Sequence, residues 1–115
     1  MNESVKAIAQ RVWSQLGSGF SERVYHNAME VGLRQSGVAY QTERIIPILF
    51  DGHGIGNIRA DLIVDSKLIV ELKSVKSLKD EHIVQTQMYM KYLDIPEGML
   101  INFPTCGGHL EVINL

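Results

Sequence analysis

The segment that most constrains this chain is the run Leu62-Ile63-Val64-Asp65-Ser66-Lys67-Leu68-Ile69-Val70-Glu71-Leu72-Lys73. Two apolar, β-branched blocks around a short polar step read as an antiparallel pair of strands, Ile55 to Val64 and Lys67 to Lys73, joined tightly at Asp65-Ser66. Side chains alternate along a strand, so Glu71 and Lys73 project from one face, roughly 6–7 Å apart, while Leu68, Val70 and Leu72 pack on the other. An acid and a lysine ending so apolar a strand are costly to bury unless each has a partner. Counting outwards from the turn, Asp61 faces the neighbourhood of Leu68 to Val70 and reaches Glu71 diagonally. Two carboxylates that close repel unless a proton or a cation lies between them. Mg²⁺ favours oxygen ligands, commonly one or two carboxylates completed by water and substrate phosphates. The spacing Asp-x(9)-Glu-x-Lys therefore points to metal-assisted phosphodiester chemistry.

The flanking segments supply the rest of an α+β fold. Val5, Ile8, Ala9, Val12, Trp13 and Leu16 recur at helical steps and predict an amphipathic helix that Gly17-Ser18-Gly19 ends. A second helix is expected over Ser21 to Gln35, with Ser21 as N-cap and Gly37 as the stop. Ile45 to Phe50 reads as a strand in which Pro47 marks an edge or a bulge, followed by a turn at Asp51-Gly52-His53-Gly54. Lys79 to Leu93 reads as a third helix, capped by Asp80 with Glu81 in its first turn and broken by Pro96 and Gly98. Met99 to Phe103 is apolar enough for a strand covered on both faces, and Leu110 to Leu115 suggests a last one. The order is α-α-β-β-β-α-β-(β), a mixed α/β (α+β) sheet with helices on its faces.

Composition sets outer bounds. The chain has 115 residues, 45% hydrophobic and 21% charged, which fits one globular domain over 1–115 and excludes a disordered or fibrous chain. The single cysteine, Cys106, forms no internal disulfide, and neither a signal peptide nor an apolar run of about 20 residues is present, so a cytoplasmic protein is expected. The formal net charge of -2 gives no general electrostatic case for nucleic acid unless some acids are held by metal ions.

Asp61 with Glu71-Leu72-Lys73 resembles the core motif of the PD-(D/E)xK nucleases. Gly19-Phe20-Ser21-Glu22-Arg23-Val24-Tyr25 fits the signature of the GxxExxY proteins within that superfamily. Arg59-Ala60-Asp61-Leu62-Ile63-Val64, Glu71-Leu72-Lys73-Ser74-Val75, His82-Ile83-Val84-Gln85 with Tyr89, and Leu100-Ile101-Asn102-Phe103 follow in the family's order, so the resemblance covers nearly the whole chain. Each motif alone is weak; their succession on the expected elements is specific. Ala60 replaces the proline that names the superfamily, and Ser18 stands where the GxxExxY signature commonly has proline.

The resemblance implies a restriction-endonuclease-like αβββαβ core and a nuclease that hydrolyses phosphodiester bonds with Mg²⁺ or Mn²⁺. Asp61 and Glu71 would be the metal carboxylates, with the Leu72 backbone carbonyl and Glu22 as further ligands. Lys73 would orient the attacking water or offset phosphate charge, and Gln85 would support it from the third helix. Nucleic acid is the implied partner, DNA ahead of RNA, with no membrane. A homodimer would give two sites for two strands, and a protein partner would fit a chain this small. Without the three acids Glu22, Asp61 and Glu71, ten acids face eleven bases, and Lys73, Lys76, Lys79, Arg23 and Arg59 would form a local basic rim. The rival reading is a nuclease-fold module with weak or no catalysis that binds nucleic acid or a protein.

Blander readings compete at each position. Glu71 and Lys73 would make an edge-strand ion pair of small worth, Glu22 a first-turn acid, and Gln85 a surface amide. Tyr25, Tyr89, Tyr92 and Trp13 read as packing residues. His82 shares a face with Gln85 but reads first as a surface histidine. Gly52-His53-Gly54-Ile55-Gly56 lies between strands and is a turn rather than a phosphate loop. Cys106 and His109 offer only two of the four ligands a structural zinc site needs, with no second pair at sensible spacing.

Overall fold

The computed structural model describes residues 1–115. Three helices, α1 (Asn2–Leu16), α2 (Glu22–Gln35) and α3 (Asp80–Leu93), accompany five strands: β1 (Tyr40–Phe50), β2 (His53–Val64), β3 (Leu68–Lys73), β4 (Glu97–Asn102) and β5 (Glu111–Asn114). They form one sheet in the order β1-β2-β3-β4-β5. Only β3 and β4 run parallel, and α3 makes the crossover between them; the other neighbours are antiparallel. This is the mixed, helix-flanked α+β architecture expected of a restriction-endonuclease-like core.

The two faces of the sheet are filled differently. On one, α1 contributes Val5, Ile8, Ala9 and Val12, and α2 contributes Tyr25, Met29 and Leu33. They meet Leu62, Val64, Leu68, Val70, Leu72, Met99, Ile101 and Phe103 in a buried cluster of 15 residues. On the other, α3 lays Tyr89, Met90 and Leu93 over a buried cluster of only three, Ala60, Ile63 and Ile69. The helix periodicity read from the sequence selects the α1 face correctly, because that stripe has an apolar sheet to meet.

Local chemistry explains most of the boundaries. The Ser21 hydroxyl accepts from the Val24 N–H, capping α2. Beyond Gln35 the chain turns through Gly37 at φ 67, where a side chain would be strained. Asp65 and Ser66 both adopt left-handed φ, the pair that a tight hairpin between right-twisted strands requires.

Four expectations need correction. At the first hairpin, Asp51 and Gly52 alone carry positive φ, so His53 and Gly54 belong to β2. The first strand begins at Tyr40 rather than Ile45, because Tyr40, Gln41 and Thr42 pair with Val64, Ile63 and Leu62 despite lacking an apolar pattern. Pro47 does sit on the edge strand, and the register slips one residue later, between Ile48 and Leu49. The N-cap of α3 is Lys79, not Asp80, and its N–H donates to the His82 ring Nδ1 at 3.0 Å. Finally, α3 stops at Asp94, which turns left-handed at φ 55 before Pro96 is reached. Gly98 lies inside β4, where a Cβ would clash with Met90 Sδ, so its role is to let α3 approach the sheet.

Candidate active site

The site grows from the place where β2 and β3 part. Their ladder pairs Val64 with Leu68, Ile63 with Ile69 and Leu62 with Val70. One further step puts Asp61 directly opposite Glu71, rather than on the diagonal that counting from the turn suggests. Here the backbone ladder gives way to side chains. The Asp61 N–H donates to Glu71 Oε2 at 3.2 Å, and the Leu72 N–H donates to Asp61 Oδ2 at 2.8 Å. Each carboxylate thus satisfies a backbone donor that the separating strands would strand, and each is fixed in place by doing so.

Burial makes this pairing chemically unusual. Glu71 is only 3% exposed. Loss of solvent, reinforced by the negative charge of Asp61 and opposed by Lys73, pushes its carboxyl up to about 9. Burial against Asp61 thus favours retention of a proton by the pair. The Tyr89 hydroxyl on α3 is also shifted up, by burial first and then by the charges of Glu71 and Asp61, which places that ring in the electrostatic reach of the pair.

Lys73 and Gln85 meet as expected. Lys73 follows Glu71 on the α3 face of β3, and its Nζ donates to Gln85 Oε1 at 3.4 Å. Leu72 buries its side chain on the opposite face. The N–H and C=O of one strand residue point to the same neighbouring strand. Since the Leu72 N–H reaches Asp61, its carbonyl faces β2 as well, on the side where the strands open.

Glu22 reaches the site from α2. It lines a polar pocket of about 140 Å³ together with Arg23, His26, Arg59 and Asp61. The loop before it is fixed from the core: the Tyr25 hydroxyl donates to the Gly17 carbonyl at 2.6 Å and accepts from the Phe20 N–H, while its ring stacks on Phe103 at 4.5 Å. Tyr25 is therefore a packing residue that aims Glu22. The structure does not gather Glu22, Asp61 and Glu71 into one ligand set; no three His, Cys, Asp or Glu side chains converge on a single point. Asp61 is the shared member, bonded towards Glu71 on one side and facing the Glu22 pocket on the other.

Sequence reasoning missed the wall of that pocket. Ala60 and Ile63 pack in the same cluster although strand alternation would oppose them, so β2 changes face at Asp61. The β1–β2 ladder skips a rung at the same place, between Thr42↔Leu62 and Arg44↔Ala60, and the residues left out are Asp61 and, opposite it, Glu43 at φ 51. This break turns Arg59 towards α2, where it meets Glu43 at 3.4 Å. His26 is buried behind them, 2.8 Å from Thr42 Oγ1 and 3.1 Å from Glu30 Oε2.

A family model of the PD-(D/E)XK nuclease superfamily matches residues 1–114. The chain belongs to that superfamily. Among solved structures, the fold is similar to the crystal structure of SSO0001, with a TM-score of 0.63 and 22% sequence identity. That alignment covers 82% of this chain and 49% of the other, so the chain spans about half the length of that relative. No curated protein matches it. No helix is long and apolar enough to cross a membrane.

The donor set suits the divalent cations that PD-(D/E)xK nucleases typically use. Two opposed carboxylates and a strand carbonyl are hard oxygen donors, and a divalent ion needs only one or two carboxylates when water and phosphate complete its shell. The proton held by Glu71 is what such a pair requires when no cation is there to separate its charges.

Proposed function

We propose that this chain is a divalent-metal-dependent nuclease that hydrolyses phosphodiester bonds of nucleic acid, DNA ahead of RNA. The observation that carries the reading is the direct opposition of Asp61 and Glu71 at the opening of β2 from β3, with Lys73 two residues on and tethered to Gln85. An edge-strand ion pair would leave Glu71 in solvent, whereas it is nearly fully buried against another acid. The Gly19 to Tyr25 signature supports placing the chain among the GxxExxY proteins.

Asp61 and Glu71 would hold Mg²⁺ or Mn²⁺, with the Leu72 carbonyl as a further donor and Glu22 beside Asp61 in the adjoining pocket rather than in the same ligand set. When bound, the ion supplies Lewis-acid stabilisation of the charge that develops on the phosphoryl oxygens. Glu71 enters this state by giving up the proton it otherwise keeps. Lys73 carries a compact positive charge at the rim of the buried pair, where it orients a water or a phosphate oxygen. Gln85 positions Lys73 by accepting from its ammonium, which limits the rotamers of a long side chain. Tyr89 covers the pair from α3 and helps to exclude bulk water, strengthening each of these charges.

Asp61→Ala, Glu71→Ala and Lys73→Ala should each abolish metal-dependent cleavage of labelled oligonucleotides while the circular dichroism spectrum stays that of the wild type. Cleavage that survives Asp61→Ala combined with Glu71→Ala would end this assignment. Mn²⁺ binding without cleavage of DNA or RNA, single- or double-stranded, would instead favour a binding module that has lost turnover.

A further inference from the structure

We propose that Arg23 and Arg59 form a clamp for a nucleic-acid phosphate beside Asp61, and that Glu43 occupies this clamp in the free protein by standing where the phosphate binds. The proposal deepens the nuclease reading and rests on it for the identity of the ligand. Three elements bring the clamp together. Arg23 Nη1 from α2 and Arg59 Nη2 from β2 both meet one atom, Oε1 of Glu43 from β1, the second at 3.4 Å. The His26 ring stands 4.0 Å from the same oxygen. Two guanidinium groups converging on one anionic oxygen suit a phosphodiester as well as a carboxylate, since both offer planar-compatible oxygen pairs to the arginine fork.

Position ties this cluster to the site. Arg23 and Arg59 share their pocket with Asp61 and Glu22. Both arginine side chains are half exposed, at 50% and 51%, so an incoming strand can reach them. The Glu43 oxygen that meets them is itself buried, but its partners are half in solvent, which screens the pairs and makes the carboxylate an exchangeable occupant rather than a structural rivet.

The backbone of Glu43 makes the exchange easy. It lies at φ 51, a left-handed conformation that is unfavourable for a non-glycine residue. It also occupies the skipped rung opposite Asp61, between Thr42 and Arg44. Glu43 can therefore swing out without breaking a pairing of the β1–β2 ladder, while its neighbours keep the strands together. In place, it neutralises part of the arginine charge and keeps both guanidinium groups from collapsing onto Glu22 and Asp61. Displaced by phosphate, it leaves a backbone passing next to the carboxylate pair, in position for attack.

The test is equilibrium binding of a short fluorescein-labelled oligonucleotide in EDTA, followed by anisotropy across a salt series, so that it does not depend on cleavage. Glu43→Gln frees the arginines and should tighten binding about three- to tenfold. Arg23→Gln and Arg59→Gln should each weaken it by a similar factor and reduce the slope of log Kd against log salt by about 0.7–1, as loss of one phosphate contact predicts. Arg59→Lys keeps the charge and should retain the slope while losing part of the affinity. Adding Arg59→Gln to Glu43→Gln should cancel the gain. Each variant's melting temperature is measured alongside, and the comparison uses variants that melt within a few degrees of the wild type. Equal or weaker binding by Glu43→Gln, unchanged binding by both arginine variants, or no binding by any of these proteins overturns the clamp. If cleavage survives loss of Asp61 and Glu71 but the binding series behaves as described, the catalytic assignment fails and the clamp stands.

Discussion

The two faces of the sheet do opposite work. Under α1 and α2, 15 buried apolar side chains interlock. Under α3, a buried cluster of three apolar residues and the neighbouring Leu100 share the space with Glu71, Thr86 and Asn102. The first face stabilises by removing apolar surface from water, at about 25 cal/mol per Å². The second gives up that gain to hold two carboxylates, a lysine and an amide in fixed positions. The contrast teaches that stability and chemistry are separable here: β3 carries both, with Leu68, Val70 and Leu72 facing the core and Ile69, Glu71 and Lys73 facing the site.

The largest expected effect therefore lies away from the chemistry. Leu33→Ala or Phe103→Ala should cost about 3–5 kcal/mol in urea unfolding, because each side chain is fully buried in a core that cannot close the cavity. Whatever fraction remains folded should keep its metal affinity. A loss below about 1 kcal/mol would mean that the α1–α2 face is not the main source of stability.

A smaller effect is expected from Asn102, which joins the two regions. It is fully buried, accepts from the Val75 N–H at 2.9 Å, and donates to the Val75 carbonyl and to Glu111 Oε1. Asn102→Leu leaves those groups unpaired and should cost about 1–3 kcal/mol. It should also loosen the segment that leaves β3 after Lys73, readable as faster amide exchange at Val75.

The pH dependence sharpens the comparison by sign. Glu71 has a folded value raised from 4.5 to about 9, so the unfolded chain releases its proton first as pH rises. The stability associated with the protonated form is complete below about 4.5 and is lost progressively as pH climbs towards 9. Metal-free protein should melt at lower temperature at pH 8.5 than at pH 5.5, and Glu71→Gln should flatten that dependence. Mn²⁺ should restore the wild type at high pH and do little for the variant. A wild-type melting profile that rises over this range would contradict the assigned burial.

The least costly change to the fold is Gln85→Ala, at an exposed position, which should shift stability by no more than about 0.5 kcal/mol. It frees Lys73, so cleavage should fall several-fold with metal affinity unchanged. Equal loss of metal affinity would place Gln85 nearer the ion than its bond to Lys73 indicates.

What was legible in the sequence follows from the same division. The helical stripe of Val5, Ile8, Ala9 and Val12, the Ser21 cap and the Asp65-Ser66 turn are local signals, and the structure carries them as read. Asp61, Glu71 and Lys73 could be singled out because charged groups stand out against apolar strands, whereas Gln85 was marked only by the resemblance to the PD-(D/E)xK nucleases. The skipped rung at Glu43 could not. It depends on β2 changing face at Asp61, a consequence of two strands parting around buried carboxylates, and no periodicity in Tyr40 to Phe50 marks it. The capping of α3 by Lys79 and His82 was likewise hidden, since neither is a usual cap residue and Asp80 offered a more familiar one.

If Asp61 and Glu71 together hold a divalent cation, it binds at the expense of the Glu71 proton. Titration of the full chain with Mn²⁺ at pH 7, by calorimetry in two buffers of different ionisation enthalpy, reads the binding and the proton count together. Saturable binding with release of close to one proton is expected in the wild type, and neither in Asp61→Ala. Binding that persists in Asp61→Ala, or binding without proton release in the wild type, would contradict this assignment.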